Sequence, residues 1–460
     1  MPEMKRNIRT LFIANRGEIA VRIIRAAREL GMQTVLGCSE ADTDSLGAGM
    51  ADSIEILGPA PAAKSYLDTR AVVEAARRSG ADAVHPGYGF LSENAGFAQA
   101  LQDAGLIFVG PSAETISLMG DKAAARACAR RAGVPTVPGS DGVMENVGEA
   151  QLEALQVGYP VMLKAAAGGG GRGIRVAHDA DELAAEFDKA TREAESAFGY
   201  GGLYLERFVG RAHHVEVQIL GDGQRAVHLF DRECSLQRRR QKLMEEAPSP
   251  SLNPQVRERL CASAVALAES VGYTGVGTIE YLFDAQTSEF FFIEMNTRVQ
   301  VEHPVTEMVT GIDIVRESLR LAMGEPLGYV QEDIVMRGAA IECRINAEDP
   351  VRNFMPSPGV IANLRLPGGP GVRIDTHIFE GYCVPPFYDS LLGKVIVWDV
   401  NRNAAIGRMK RALSELKIDG VKSTRALHLA LLDDAAVTTG VYETSYLEQN
   451  LERIIGTACP

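Results

Sequence analysis

Along the first hundred residues, short apolar runs alternate with stretches whose apolar positions recur every three or four residues. That is the pattern of a parallel sheet covered by helices. Segment 11–14 reads as a strand, and 17–30 as a helix with Ile19, Ile23, Ala27 and Leu30 on one face. Segments 34–38, 83–85 and 107–109 predict further strands and 69–79 a helix, together an open doubly wound unit. His85-Pro86-Gly87-Tyr88-Gly89-Phe90 falls in a strand-to-helix loop at the carboxyl edge of that sheet, either as a structural turn or as a ligand contact. A Pro/Gly-rich stretch, 134–142, marks a boundary. Beyond 161 the pattern changes to β-hairpins joined by polar loops, then to mixed strands and helices, with 404–416 amphipathic.

Two apolar strands, 161–164 and 174–177, enclose Ala165-Ala166-Ala167-Gly168-Gly169-Gly170-Gly171-Arg172-Gly173, with Lys164 at the loop base. Glycines let backbone N–H groups approach phosphate oxygens, and a lysine adds a point charge, so nucleotide binding stands against a plain flexible loop. The spacing is not that of a strand-loop-helix P-loop.

Segment 290–304 alternates differently. If it stays extended, Glu294, Asn296, Arg298, Gln300 and Glu302 share one face. An upstream strand, 278–283, would close a hairpin that sets Glu280 opposite Glu294. Two carboxylates that close repel unless one is protonated or a cation lies between them, and with Asn296 they suit Mg²⁺ or Mn²⁺. A solvated sheet face is the alternative. In 341–346, Glu342, Arg344 and Asn346 alternate likewise, so Arg344 serves either an anionic ligand or an ion pair with Glu342.

Composition narrows the options. A formal net charge of −13 argues against a nucleic-acid binder or an anionic-membrane protein. The basic cluster from Asp231 to Lys242, with Arg232, Arg238, Arg239, Arg240 and Lys242, is followed by Glu245 and Glu246 and has no interleaved aromatics, so an internal salt-bridge network or an anion wall fits better. Seven scattered cysteines without CxxC indicate neither a disulfide framework nor a zinc site and suit a reducing cytoplasm. No run approaches the roughly 18 apolar residues of a membrane span, and the N-terminal apolar stretch is too short for a signal peptide.

Several long motifs in order, Ile13-Ala14-Asn15-Arg16-Gly17-Glu18-Ile19-Ala20, His85 to Asn94, Met119-Gly120-Asp121-Lys122, the glycine loop, Ile293 to Glu307 and Glu342 to Asp349, resemble the biotin carboxylase family of ATP-grasp enzymes. The resemblance implies an α/β chain: a doubly wound N-terminal domain (1–115), linker helices (116–136), an ATP-grasp lid with the glycine loop (137–209), and a C-terminal α+β domain completing the cleft (210–460).

It further implies that Lys122 and Lys164 hold ATP phosphates, that Gly170 and Gly171 cover them, and that Glu206, Arg207, Phe208 and Val209 line the adenine pocket. His214 and Gln237 would face the nucleotide. Glu280, Glu294 and Asn296 fall on the family's metal positions, and Lys242, Arg298, Gln300 and Val301 on its bicarbonate site. Glu302 would be the base and Arg344 the stabiliser of the biotin enolate.

The implied reaction is ATP-dependent carboxylation of carrier-bound biotin by bicarbonate through carboxyphosphate, the first half of a biotin-dependent carboxylase, most often the acetyl-CoA carboxylase of fatty acid biosynthesis, with another acyl-CoA, pyruvate or a urea-type acceptor as the alternative. The implied partners are a carboxyltransferase and a second copy in a homodimer. A biotin carrier displays its lysine in Met-Lys-Met, whereas Met-Lys occurs here only at Met4-Lys5 and Met409-Lys410, so the carrier is expected to be separate. Another ATP-grasp ligase forming an acyl phosphate is the rival; a catalytically silent paralogue would lack a base or metal ligand, and none is missing. Ala166, Ala167 and Arg240 depart from the family pattern.

Overall fold

The computed structural model describes residues 6–140, 142–166, 174–198 and 200–458. Strands Thr10–Ile13, Gln33–Ser39, Ser53–Gly58, Ala83–His85 and Ile107–Phe108 pair in parallel, in the spatial order third, second, first, fourth, fifth. Helix Gly17–Glu29 buries Ile19, Ile23 and Ala27 as the periodicity predicts. Ser53–Gly58 has no counterpart in the sequence reading. It is an edge strand whose Ile54 and Ile56 stay exposed, so no alternation of buried and polar positions announces it.

The strand order reverses between the first and fourth strands, where such sheets open a crevice. Asn15, just past the first strand, donates from Nδ2 to Pro86 O (2.6 Å) and Tyr88 O (2.8 Å). Gly87 has φ +63°, and a Cβ there would lie 2.8 Å from Asn15 Nδ2. Asparagine therefore stitches the two loops together, and only glycine fits beneath it. Gly87→Ala is expected to cost about 1–3 kcal/mol from the left-handed backbone alone. A melting temperature unchanged from wild type would refute the steric account.

The chain divides into two compact units. The first comprises Met1–Val134, His213–Phe283 and Glu294–Pro460, and the second Pro135–Ala212 and Asp284–Ile293. Helices Ala113–Gly120 and Lys122–Arg131 belong to the first.

Besides the parallel sheet, an eight-stranded sheet runs in the order Glu289–Asn296, Thr274–Asp284, Ala212–Asp222, Ala226–Arg238, Gln241–Ala247, Ala339–Asn346, Leu391–Asp399, Val372–Thr376. Helix His303–Thr310 covers one face, with Val305 and Val309 packed on Ala247, Ala340 and Ile396. Helices Arg402–Glu415 and Arg425–Asp433 cover the other, against Ile341, Cys343 and Ile345. On strand Ala339–Asn346 this sets the even-numbered residues toward His303–Thr310.

In the second unit, Ile174–Ala177, Val161–Ala165 and Leu203–Arg207 form an antiparallel sheet in that order, with Lys164 opposite Ile174. Helices Val147–Val157 and Ala180–Phe198 supply Ala150, Ala154, Leu183, Phe187 and Ala190 to its core. The hairpin read from the sequence is thus present. The glycine loop at its tip, including Gly170 and Gly171, lies outside the described residues.

Candidate active site

In the first unit, Glu294 and Asn296 share a face of strand Glu289–Asn296, beside Glu280 on the neighbouring strand. Asn296 Nδ2 donates to Glu280 Oε1 at 3.0 Å, and His214 Nε2 lies 2.9 Å from Glu280 Oε2. Burial alone would raise the Glu280 carboxyl, but Lys242 and His214 outweigh it and hold the group well below the usual range. Burial, followed by the Glu280 charge, pushes Glu294 up. One acid is firmly ionised and its neighbour reluctantly so, which is the state of a carboxylate pair that a divalent cation would relieve.

The chain does not stay extended to Glu302: the strand ends at Asn296, and Glu302 immediately precedes helix His303–Thr310 without a capping bond from its side chain, Pro304 occupying the first turn. The polar groups converge nevertheless, because hydrogen bonds gather them. Gln300 Nε2 donates to Glu280 Oε1 (2.9 Å), and Arg298 donates to Asn296 Oδ1 (3.0 Å) and Glu93 Oε2 (2.8 Å). Lys242 Nζ reaches Glu216 (2.6 Å), Glu280 (3.1 Å) and Glu302 Oε1 (2.5 Å).

Arg344 Nη2 takes the other oxygen of Glu302 at 2.8 Å. Glu302 is 2% exposed. Burial raises its carboxyl, yet Lys242, Arg344 and Arg232 overcome that and keep it well below the ordinary range. The carboxylate is thus held from both sides by cations, one of which, Lys242, also reaches Glu280.

Arg344 does not form the ion pair with Glu342 that its strand offered as an alternative. It is ion-paired with Glu245 (2.5 Å) and Glu302 instead, and the oxygens of both Glu245 and Glu342 lack a hydrogen-bond partner among the described residues.

Arg232 belongs to the basic cluster from Asp231 to Lys242, where the sequence gives it no role of its own. It is 0% exposed and donates to Glu216, Gln218, Thr306, Thr278 and Gln300, so every arm of the guanidinium is engaged. It fixes which end of the Gln300 amide faces Glu280. The basic stretch is therefore in part an internal network, as its following acids suggested. Glu93 and Lys394 were also missed: Glu93 holds Arg298, and buried Lys394 donates to Val301 O (2.8 Å) and pairs with Glu18 (3.0 Å). Nothing local marks these roles, since Arg298, Val301 and Glu18 lie some ninety residues or more from the side chains that hold them.

The remaining expected residues are placed as follows. Gln237 lies opposite Lys242 across a strand pair. Lys122 is exposed at the start of its helix, capped by Asp121, and its charge is felt at Glu294. In the second unit Lys164 pairs with Glu206, Arg207 pairs with Glu289 (2.9 Å), the Phe208 amide bonds Pro160 O (2.9 Å) and Val209 is buried. Arg240 is exposed at the left-handed tip of the turn between Ala226–Arg238 and Gln241–Ala247.

Three family models match the chain: biotin carboxylase, N-terminal domain (residues 7–116); carbamoyl-phosphate synthase L chain, ATP binding domain (121–330); and biotin carboxylase C-terminal domain (342–449). The biotin carboxylase of Pseudomonas aeruginosa is 54% identical over 443 residues, covering 96% of this chain and 98% of that protein. The biotin carboxylase domain dimer of the Hydrogenobacter thermophilus 2-oxoglutarate carboxylase, in complex with MgADP, ADP and bicarbonate, superposes with a TM-score of 0.88 at 46% identity, covering 97% and 98% of the two chains. A biotin carboxylase–β-γ-ATP complex from Campylobacter jejuni gives 0.90 at 45% identity, with 96% and 99% covered.

Fold and matches together define an ATP-grasp ligase. Within that class the chain belongs to the biotin carboxylase family, ATP-dependent enzymes of the first half-reaction of biotin-dependent carboxylation. Among the described residues no helix is long and apolar enough to cross a membrane.

Proposed function

We propose that Glu302 is the base that deprotonates bicarbonate for attack on ATP, and that Arg344 stabilises the biotin enolate that captures the carbon dioxide released. The observation that carries this reading is the clamp on Glu302, with Lys242 at one oxygen and Arg344 at the other. Bicarbonate, seated by Lys242, Arg298, Gln300 and the Val301 backbone, gives its proton to Glu302 and attacks the γ-phosphorus. The bond to ADP breaks and carboxyphosphate forms. Carboxyphosphate separates into carbon dioxide and phosphate, the phosphate removes the ureido proton of biotin, and the enolate beside Arg344 attacks the carbon.

The donor set of Glu280, Glu294 and Asn296 fits Mg²⁺ or Mn²⁺, which when bound neutralises phosphoryl charge. Lys122 and Lys164 hold ATP phosphates and Gly170 and Gly171 cover them. Glu206, Arg207, Phe208 and Val209 serve the adenine, with His214 and Gln237 toward the nucleotide. The nucleotides, magnesium and bicarbonate bound by the Hydrogenobacter relative, and the nucleotide bound by the Campylobacter one, support these assignments.

The domains fall at 1–115, 116–136, 137–209 and 210–460. The biotin sits on a separate carrier protein, a carboxyltransferase takes the product to acetyl-CoA, and the enzyme works as a cytoplasmic homodimer. The dimeric relative and the unpaired described cysteines support the last point.

The decisive experiment measures ADP release. Free biotin with bicarbonate is expected to stimulate it; stimulation by an amine instead overturns the reading in favour of another acyl-phosphate ligase. Glu294→Gln is expected to raise the Mg²⁺ concentration for half-maximal turnover about tenfold, roughly 1.4 kcal/mol of lost ligation. An unshifted Mg²⁺ titration removes Glu294 from the metal site.

A further inference from the structure

Strands Gln241–Ala247 and Ala339–Asn346 pair in antiparallel register with Glu245 directly opposite Glu342. Both side chains are 0% exposed. Glu342 makes no hydrogen bond among the described residues, and its cross-strand neighbour on the other side is Ile396. Two carboxylates so placed cannot both stay ionised unless a cation lies between them.

Among the described residues the one cation ion-paired with either acid is Arg344, whose Nη2 is already divided between Glu245 (2.5 Å) and Glu302 (2.8 Å). The other charges facing the pair are committed elsewhere. Lys242 binds Glu216, Glu280 and Glu302, and Lys394 binds Glu18 and Val301 O with Asp375 4.0 Å away. On the covering helix, Glu307 is held by Arg22 and Arg373, and His303 is kept neutral by burial and then by Lys394. Burial pushes Glu245 up to about 7 and Glu342 well above the carboxylate range, in keeping with this geometry.

We propose that Glu245 and Glu342 hold one proton between them and act as positioning residues for Arg344. The pair presents a single negative charge behind the guanidinium, which therefore stays poised between Glu245 and Glu302. The positioning role rests on the reading above, that Arg344 and Glu302 are the working ends of the site. As pH rises the proton leaves, the second carboxylate draws Arg344 back, and biotin-dependent turnover falls.

Two measurements on the full chain test this. Infrared difference spectroscopy between neutral and alkaline pH, in ordinary and heavy water without substrate, is expected to show the C=O stretch of a protonated carboxylic acid at neutral pH. Glu342→Gln should lose it. In the same variant, whose amide imitates the protonated acid but cannot ionise, the alkaline limb of turnover is expected to move up by a unit or more. On that limb its turnover relative to neutral pH then exceeds that of wild type by about tenfold. Glu342→Met, of similar volume and equally unable to ionise, makes the same prediction should the amide fail to fold.

A wild-type protein without the acid band, or a band undiminished in Glu342→Gln, overturns the shared proton. An alkaline limb that superimposes on wild type overturns the positioning role, since a merely structural change would scale turnover alike at every pH. A protein that shows the band but no biotin-stimulated ADP release keeps the proton pair and loses the functional reading instead.

Discussion

Glu302→Gln is expected to lower bicarbonate- and biotin-dependent ADP release by about 10²–10⁴-fold, the usual contribution of a positioned general base, while leaving ATP binding intact. The amide keeps the shape of the side chain but can neither take a proton nor balance Lys242 and Arg344, which hold the two carboxylate oxygens. Turnover within a few-fold of wild type would remove Glu302 as the base.

The pH dependence follows from the same contacts. Because the cations hold Glu302 below the ordinary carboxylate range, it remains ionised throughout neutral pH, and any loss of activity between neutral and mildly acidic pH belongs to another group. A depressed native pKa stabilises the fold above the unfolded value of about 4.3. That contribution is lost only as pH falls through the native value.

Arg232→Ala is expected to give the largest loss of stability, about 3–5 kcal/mol, because it strands Glu216 as a buried charge. Glu216 is itself 0% exposed and would keep only Lys242 as a cationic partner. The Gln300 amide would also lose the donor that fixes its orientation. Urea denaturation of the variant measures the loss. A midpoint near that of wild type would mean that water or a rearranged Lys242 replaces the guanidinium, and the network would not be holding the site.

Much of this arrangement was legible in the sequence where it depends on local periodicity. The helix at Gly17–Glu29, the strand at Ala83–His85 and the hairpin flanking the glycine loop each declare themselves by spacing within a dozen residues. Alternation correctly placed Glu294 and Asn296 on one face. It failed from Arg298 onward, because the strand ends at Asn296 and the chain turns into helix His303–Thr310; the convergence survives through long-range bonds to Lys242 and Arg344. Alternation also offered Glu342 as the partner of Arg344, whereas the neighbouring strand supplies Glu245. The roles of Glu93 and Lys394 were invisible because the groups they hold, Arg298 and Val301, lie far along the chain, and Arg232 showed only as one of a basic cluster, since no local pattern encodes its burial against Glu216, Thr278 and Thr306.

The bond from Lys394 to the carbonyl of Val301 has a consequence for how the protein is made. The two halves of the Glu302 clamp and the support beneath it emerge from the ribosome in the order Lys242, Glu302, Arg344, Lys394, with the last some ninety residues behind the carbonyl it steadies. A nascent chain that has folded its N-terminal sheet and already carries Glu280 and Glu294 still lacks Arg344 and Lys394. Translation order thus withholds the finished clamp until most of the polypeptide exists.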